Sequence, residues 1–249
     1  MQPVKTNNVF NYIYKHKQWG DNNGTLSGSG STREANVERN KFLINFITKN
    51  GIKYVYDICG DCNWQRDFMK QIPTVKYYGL DISQEAINRV ITNSSERLSK
   101  NMEVIKNAID LSREMCDVID PENTLFIVKE VIQHLPLYKG MAMLKNIKNA
   151  GVKYLAITNH DKKIHKETTK NGVCNFGVQD GGFYPNNMFD SPYSFKNPLD
   201  DISNYIPVEK QKHFGNLIIF NIQEQKIGLD LQKQTNVSNN PIKKRFKMW

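Results

Sequence analysis

The chain of 249 residues is short of several things, and each shortage narrows its class. Its four cysteines have no disulfide-framework spacing, which argues against a cystine-stapled domain and points to a reducing, intracellular setting. No apolar run approaches the ~20 residues a membrane span needs. Met1 to Gln18 carries polar residues throughout, unlike a secretory signal, so a soluble, cytoplasmic protein is expected. No internal repeat is visible, which leaves out solenoids and propellers. Acid is scarce relative to base, 25 Asp and Glu against 34 Lys and Arg, and the net charge of +9 attracts anionic partners in general. Most of that excess is spread over predicted helix faces. Only Lys243-Lys-Arg-Phe-Lys247 is dense, so solvation explains the charge better than nucleic-acid binding.

What is present centres on residues 53–82. An apolar β-branched and aromatic run, Lys53-Tyr-Val-Tyr-Asp-Ile58, leads into the turn Cys59-Gly-Asp-Cys-Asn-Trp64. An amphipathic run to Gln71 and a second apolar run, Lys76-Tyr-Tyr-Gly-Leu-Asp-Ile82, follow. This is a β-α-β unit, and in an open α/β sheet the ligand sits beyond the carboxyl ends of the strands. Asp57 to Asn63 and Asp81 should therefore face one molecule. Asp81 is placed to accept from a ribose diol, which makes a nucleoside-containing cofactor the first hypothesis.

Three regions are expected along the chain. Residues 1–32 hold an amphipathic helix from Asn8 to Trp19, read as a lid, and a Gly/Ser loop ending in Ser29-Gly-Ser-Thr32. That loop feeds a helix from Arg33 to Lys49, with Ser31 or Thr32 as cap. Free backbone donors beside Ser29 and Arg33 could hold an anion; a plain flexible linker reads equally well. Residues 33–222 form the main domain. After the central unit come a helix from Gln84 to Leu98, a short strand at Glu103–Lys106 and Asp110, which could accept from an adenine amino group or cap the next turn. The apolar run Thr124–Lys129 suits a central strand buried on both faces; beyond it lie Glu130, Gln133 and His134. A helix from Lys139 to Asn149 follows, and a fifth strand, Lys153–Thr158, delivers Asn159, His160 and Asp161 to the same rim. Residues 161–201 lose periodicity but are rich in aromatics, which reads as a substrate-side wall or as a flap over the sheet. Ile202–Val208 and Phe214–Ile222 read as an antiparallel last pair of strands, and 223–249 as a basic tail.

Cys59-Gly-Asp-Cys62 also fits a thioredoxin-type redox pair between a strand and a helix. The acids and histidines at successive strand ends downstream argue against it, since a redox domain needs none of them. Cys116 and Cys174 are isolated, so no zinc site, and no other metal site, is expected.

The order of these motifs, from the Cys-Gly-Asp-x-Asn-Trp turn through Gly-Leu-Asp81, Asp110 and Val-Ile-Gln-His-Leu-Pro136 to Tyr-Leu-Ala-Ile-Thr158, resembles class I S-adenosylmethionine-dependent methyltransferases. Trp19, the Ser-Gly-Ser-Gly-Ser-Thr32 loop and Asn63-Trp64 look like a subgroup associated with sugar and glycan modification. The resemblance implies an α/β, Rossmann-like seven-stranded sheet with the last strand antiparallel and helices on both faces. It implies S-adenosylmethionine as cofactor, with Cys59, Gly60 and Asp61 by the methionine, Asn63, Trp64, Lys129, Ser29 and Arg33 nearby, Asp81 on the ribose, Ile82 on the adenine face and Asp110 on its amino group. The turn departs from the pattern, since Ile58 stands where Gly or Pro is common. Asp57 and Asp61 are both eligible as the carboxylate near the cofactor ammonium.

Methyl transfer needs the acceptor aligned and its proton removed. A sugar hydroxyl requires a base, and His134 or His160 is expected to serve, with Glu130 or Asp161 as orienting carboxylate or alternate base. The expected substrate is a nucleotide-linked sugar or polysaccharide precursor, and a homodimer is compatible with the sequence. A small-molecule N-methyltransferase of the phosphoethanolamine type stays open because an aromatic pocket holds a cation; a nucleic-acid methyltransferase is the weaker alternative.

Overall fold

The computed structural model describes residues 7–20, 25–161, 175, 178–206 and 215–228. Within them one seven-stranded sheet runs in the order β3-β2-β1-β4-β5-β7-β6. Its strands are β1 (Tyr54–Ile58), β2 (Lys76–Leu80), β3 (Met102–Val104), β4 (Thr124–Val128), β5 (Tyr154–Asn159), β6 (Asp200–Asp201) and β7 (Asn216–Asn221). The first five are mutually parallel, and β7 runs antiparallel to both neighbours. The helices are α1 (Asn7–Lys15), α2 (Arg33–Asn50), α3 (Gln65–Met69), α4 (Gln84–Thr92), α5 (Ser94–Arg97) and α6 (Leu137–Asn149). This is the α/β, Rossmann-like arrangement expected of the sequence.

Alternation along each strand builds two cores, because successive side chains point to opposite faces. Val55, Tyr77, Leu125, Ile127 and Ile219 pack with Phe42 and Phe46 of α2, Phe68 of α3 and Ile87 of α4. Tyr56, Leu80, Phe126, Val128, Ile157 and Phe220 pack with Leu144 and Ile147 of α6. Every residue of β4 is buried, as a strand covered on both sides demands. Each of its large apolar side chains contributes about 1.5–3 kcal/mol by leaving water. Helix α2 starts where its chemistry dictates: the Thr32 hydroxyl accepts from the Ala35 amide at 3.2 Å. It stops at Gly51, which takes the left-handed conformation (φ 62°) that other residues adopt at a cost.

Two expectations need correction, and a third stretch had two readings, of which its packing favours one. The helix expected over Gln84–Leu98 breaks at Asn93, whose side-chain amide donates to the Arg89 carbonyl and so competes with the helical ladder. Among the described residues, the strand expected over Ile202–Val208 is replaced by a two-residue strand just before it, Asp200 and Asp201, which pairs with β7. There the Asp201 carboxylate accepts from the Ser203 amide and turns the chain into a 3-10 turn at Ile202–Asn204. The aromatic stretch 161–201 is, where described, largely a cover for the sheet. Met188, Tyr193 and Phe195 are buried in the second core, with Phe195 edge-on to Phe220 at 5.2 Å. Val208, Phe214, Cys174, Phe176 and the basic cluster at 243–247 lie outside the described residues.

Candidate active site

A cleft with about 860 Å³ of empty space, partly open to solvent, lies beyond the carboxyl ends of β1, β2 and β4. Gly60 makes its floor. Its φ of 53° favours glycine, and a Cβ there would fall 2.4 Å from the Ser27 hydroxyl and 2.8 Å from the Tyr14 hydroxyl. The turn is held from the next strand: the Gly60 amide donates to Asp81 Oδ2 at 3.0 Å, and the Ser83 amide to Asp81 Oδ1 at 2.8 Å. Asp81 therefore organises turn and helix start while still lining the cleft. Each of its oxygens already accepts one backbone donor and keeps a lone pair beyond that bond. Burial pushes its carboxyl up to about 6.

Ten of the sequence-derived residues line this cleft: Asp57, Cys59, Gly60, Trp64, Asp81, Ile82, Asp110, Lys129, Glu130 and His134. Six do not. Asp61 is wholly buried, and its carboxylate accepts from the Leu26 amide and the Ser27 hydroxyl at 2.9 Å and from Arg97 at 3.3 Å. That fastens the segment before α2 to the turn. Asn63 is a strut, donating to the Ser31 carbonyl and accepting from Arg97. Ser29 is exposed, and Arg33 faces Asp67 at 3.5 Å on the surface. His160 and Asp161 are the other two.

Of the two eligible carboxylates, Asp57 is thus the one in the cleft. Its Oδ2 accepts from Tyr77 and Gln65, each at 2.9 Å, while Oδ1 is buried with no hydrogen-bond partner. Burial pushes its carboxyl up to about 6, although those two bonds and the charge of Lys129 hold it down. Asp110 caps its own turn, with Oδ1 accepting from the Ser112 amide and hydroxyl, and Oδ2 facing Arg113 at 3.3 Å. Cys59 does not behave as a redox nucleophile. Its contact with Cys62, together with burial, pushes its thiol up, the reverse of what a reactive thiolate needs.

The two histidines separate. His134, in a 3-10 turn at Ile132–His134, lines the cleft. Its Nδ1 lies 2.7 Å from the Gly182 carbonyl, which can only accept, so Nδ1 carries the proton and Nε2 keeps a lone pair. Burial lowers its pKa, which keeps the ring neutral near pH 7. Trp19 lies tilted against it with ring centres 4.6 Å apart, and Phe183 sits at 5.8 Å. His160 is only 2 % exposed and lies behind Phe183. Its backbone amide donates to the Asn186 carbonyl at 2.7 Å, and its Nδ1 lies 3.1 Å from Asn186 Oδ1. It pins the covering loop to the end of β5. Glu130 takes a positive φ of 55°, a strain of the kind that clusters at functional sites. Burial raises its carboxyl, but the charges of His160, Lys129, Arg39 and His134 outweigh that and hold it below its ordinary value.

Sequence reasoning gave no site role to Phe10, Tyr14 and Gln65, which line the cleft; Ser27 and Ser31, from the Gly/Ser loop it singled out as a whole, line it as well. Phe10 and Tyr14 belong to α1, whose Asn11 accepts from the Ser83 hydroxyl at 3.0 Å and so docks the helix on the start of α4. The amphipathic spacing of α1 shows that one face is buried, but nothing local says against what.

No family model matches this sequence, and no curated protein does. Solved structures match in fold. Magnesium protoporphyrin IX methyltransferase from Synechocystis PCC 6803, with bound SAH, is 13% identical, with a TM-score of 0.54 over 86% of this chain and 96% of that one. An O-methyltransferase candidate from Nostoc punctiforme PCC 73102 is 13% identical, with a TM-score of 0.52 over 77% of this chain and 56% of that one. The S-adenosylmethionine-dependent methyltransferase SibL is 10% identical, with a TM-score of 0.50 over 74% of this chain and 54% of that one. At such identities the likeness is one of fold: the chain has the Rossmann-like, seven-stranded methyltransferase architecture.

Proposed function

We infer that the chain is an S-adenosylmethionine-dependent O-methyltransferase. The observation that carries this is the buried, unpartnered Oδ1 of Asp57, in a cleft that also holds Asp81, Lys129 and His134. An acceptor-only oxygen out of water is costly unless a donor arrives, and an ammonium is the donor it fits. Asp81 would take the ribose hydroxyls on its remaining lone pairs, Ile82 and Ile109 would flank the adenine, and Asp110 Oδ2 would receive its amino group. When bound, S-adenosylmethionine supplies a methyl group activated by a sulfonium. The chain's own part is to align the acceptor and take its proton. His134 Nε2 is the base, held in the right tautomer by the Gly182 carbonyl and kept neutral by burial. Trp19 and Phe183 fix its ring and exclude water from it.

A neutral base beside aromatic rings favours a hydroxyl acceptor over an amine. The finer reading, a nucleotide-linked sugar, rests on the resemblance at Trp19, the Ser27–Thr32 loop and Asn63-Trp64, and on a positive chain that suits a diphosphate. Likeness of fold lends it nothing, since one like-folded enzyme is named for a porphyrin. The N-methylation alternative is favoured by one observation, the charged Glu130 in a partly aromatic cleft. Calorimetry with S-adenosylhomocysteine, followed by mass spectrometry of nucleotide sugars and phosphoethanolamine incubated with S-adenosylmethionine, decides. Binding and a gain of one methyl on a sugar are expected. No binding ends the methyltransferase reading, and methyl on the amine alone ends the sugar reading.

A further inference from the structure

We propose that Lys129 is the receptor for the α-carboxylate of the cofactor's amino-acid tail, so that Asp57 and Lys129 together read a zwitterion. The proposal rests on the S-adenosylmethionine reading and deepens it. Lys129 follows β4 directly, is 7 % exposed and lines the cleft. Its ammonium donates to the Gly30 carbonyl at 2.8 Å and lies 5.2 Å from the centre of the Trp64 ring. No carboxylate of the described residues stands within ion-pair distance of it; the ion pairs formed elsewhere leave it out.

An ammonium has three donors, and a carbonyl and a ring face satisfy it incompletely. A cation buried in that state is costly unless a counter-charge completes it. Burial accordingly lowers its pKa to about 8, with Glu130 and Asp57 acting to raise it. The cleft therefore contains one cation short of an anion and, in Asp57 Oδ1, one anion short of a donor. An amino acid offers both missing charges on a single carbon. The Gly30 contact adds a consequence: the Ser29–Ser31 turn is fastened to the ligand's carboxylate end through Lys129.

The test uses the full chain and two ligands that share a nucleoside and a thioether. S-adenosylhomocysteine carries the amino-acid tail; 5′-methylthioadenosine lacks it. By calorimetry the unaltered protein is expected to prefer the former. Lys129→Met should weaken S-adenosylhomocysteine roughly 10- to 100-fold, the range of a lost charge-assisted bond, and leave methylthioadenosine within about twofold. Lys129→Arg, which keeps the cation, should retain part of the preference. The methylthioadenosine arm reports whether each variant is folded, and Lys129→Gln replaces Lys129→Met if that variant does not fold. An undiminished preference in Lys129→Met overturns the proposal, as does an equal loss of both ligands by the folded variant. If the unaltered protein binds neither ligand, the cofactor reading itself has failed. If Lys129→Met weakens uridine diphosphate instead, the lysine serves a phosphate and the proposal falls.

Discussion

Asp57, Gly60, Asp81 and Lys129 all stand at, or one or two residues beyond, the ends of neighbouring parallel strands, within one continuous hydrogen-bonded frame. The His134 side of the same cleft is assembled differently. Trp19 comes from beyond α1, His134 from a 3-10 turn, and Gly182 and Phe183 from the loop that covers the sheet. The first group is placed by strand register and cannot shift without breaking the sheet. The second is placed by side chains touching side chains across long stretches of sequence, so its parts are separable. Substitutions on the two sides should therefore fail in different ways.

The largest difference should come from the two histidines, which the sequence alone could not tell apart. His134→Ala is expected to lower kcat by about 10²–10⁴, the usual worth of a general base, with S-adenosylhomocysteine affinity nearly unchanged. His160→Ala removes a buried ring that holds Asn186, so its main effect should be on unfolding, at about 1–3 kcal/mol, with kcat changed much less. Turnover in single-turnover mode and urea unfolding of both variants separate the roles. A larger kcat loss at His160 than at His134 would reverse the assignment.

A smaller effect, of opposite kind, is expected at Asp81. Replacing it with Ala removes the acceptor for the Gly60 and Ser83 amides as well as the ribose partner. S-adenosylhomocysteine affinity should fall by about 10²-fold or more, with unfolding earlier by roughly 1–3 kcal/mol. Asp81→Asn keeps one acceptor oxygen and should fall between the two in both measurements. Unchanged affinity in Asp81→Ala would remove the ribose role.

How far the sequence was legible follows the same divide. Strand alternation and the acids at strand ends are local signals, so the parallel strands β1 to β5 and the cleft-lining Asp57, Gly60 and Asp81 could be read from it; the seven-stranded form and Lys129 came with the family resemblance, and the strand order came only with the structure. Asp61 could not be sorted from Asp57, because what separates them is distant: Ser27, Leu26 and Arg97 consume the Asp61 carboxylate. His160 misled for a similar reason, since its partner Asn186 lies across an irregular loop. Tyr14 and Phe10 gave only a helical period, which fixes a buried face and not its neighbour.

The smallest expected effect concerns stability and runs against intuition. Asp57 is wholly buried, and its folded pKa of about 6 stands above the ordinary 3.8. Between those values the folded chain binds more protons than the unfolded one, so this group's contribution falls as pH rises through the window and stays unfavourable above it. A shift of about two units corresponds to roughly 3 kcal/mol at most. Asp57→Asn can still accept from Gln65 and Tyr77 through its one oxygen, and it no longer buries a charge. At pH 7.5 the ligand-free variant should therefore be more stable than the parent by about 1–2 kcal/mol, and at pH 4 the gain should vanish. The same change deprives an incoming ammonium of its carboxylate, so S-adenosylhomocysteine should bind more weakly as the protein becomes sturdier. Urea unfolding at both pH values, paired with calorimetry at pH 7.5, reads both terms. A variant less stable than the parent at pH 7.5 would mean that the hydrogen bonds of Asp57, and not the burial of its charge, dominate at the floor of the cleft.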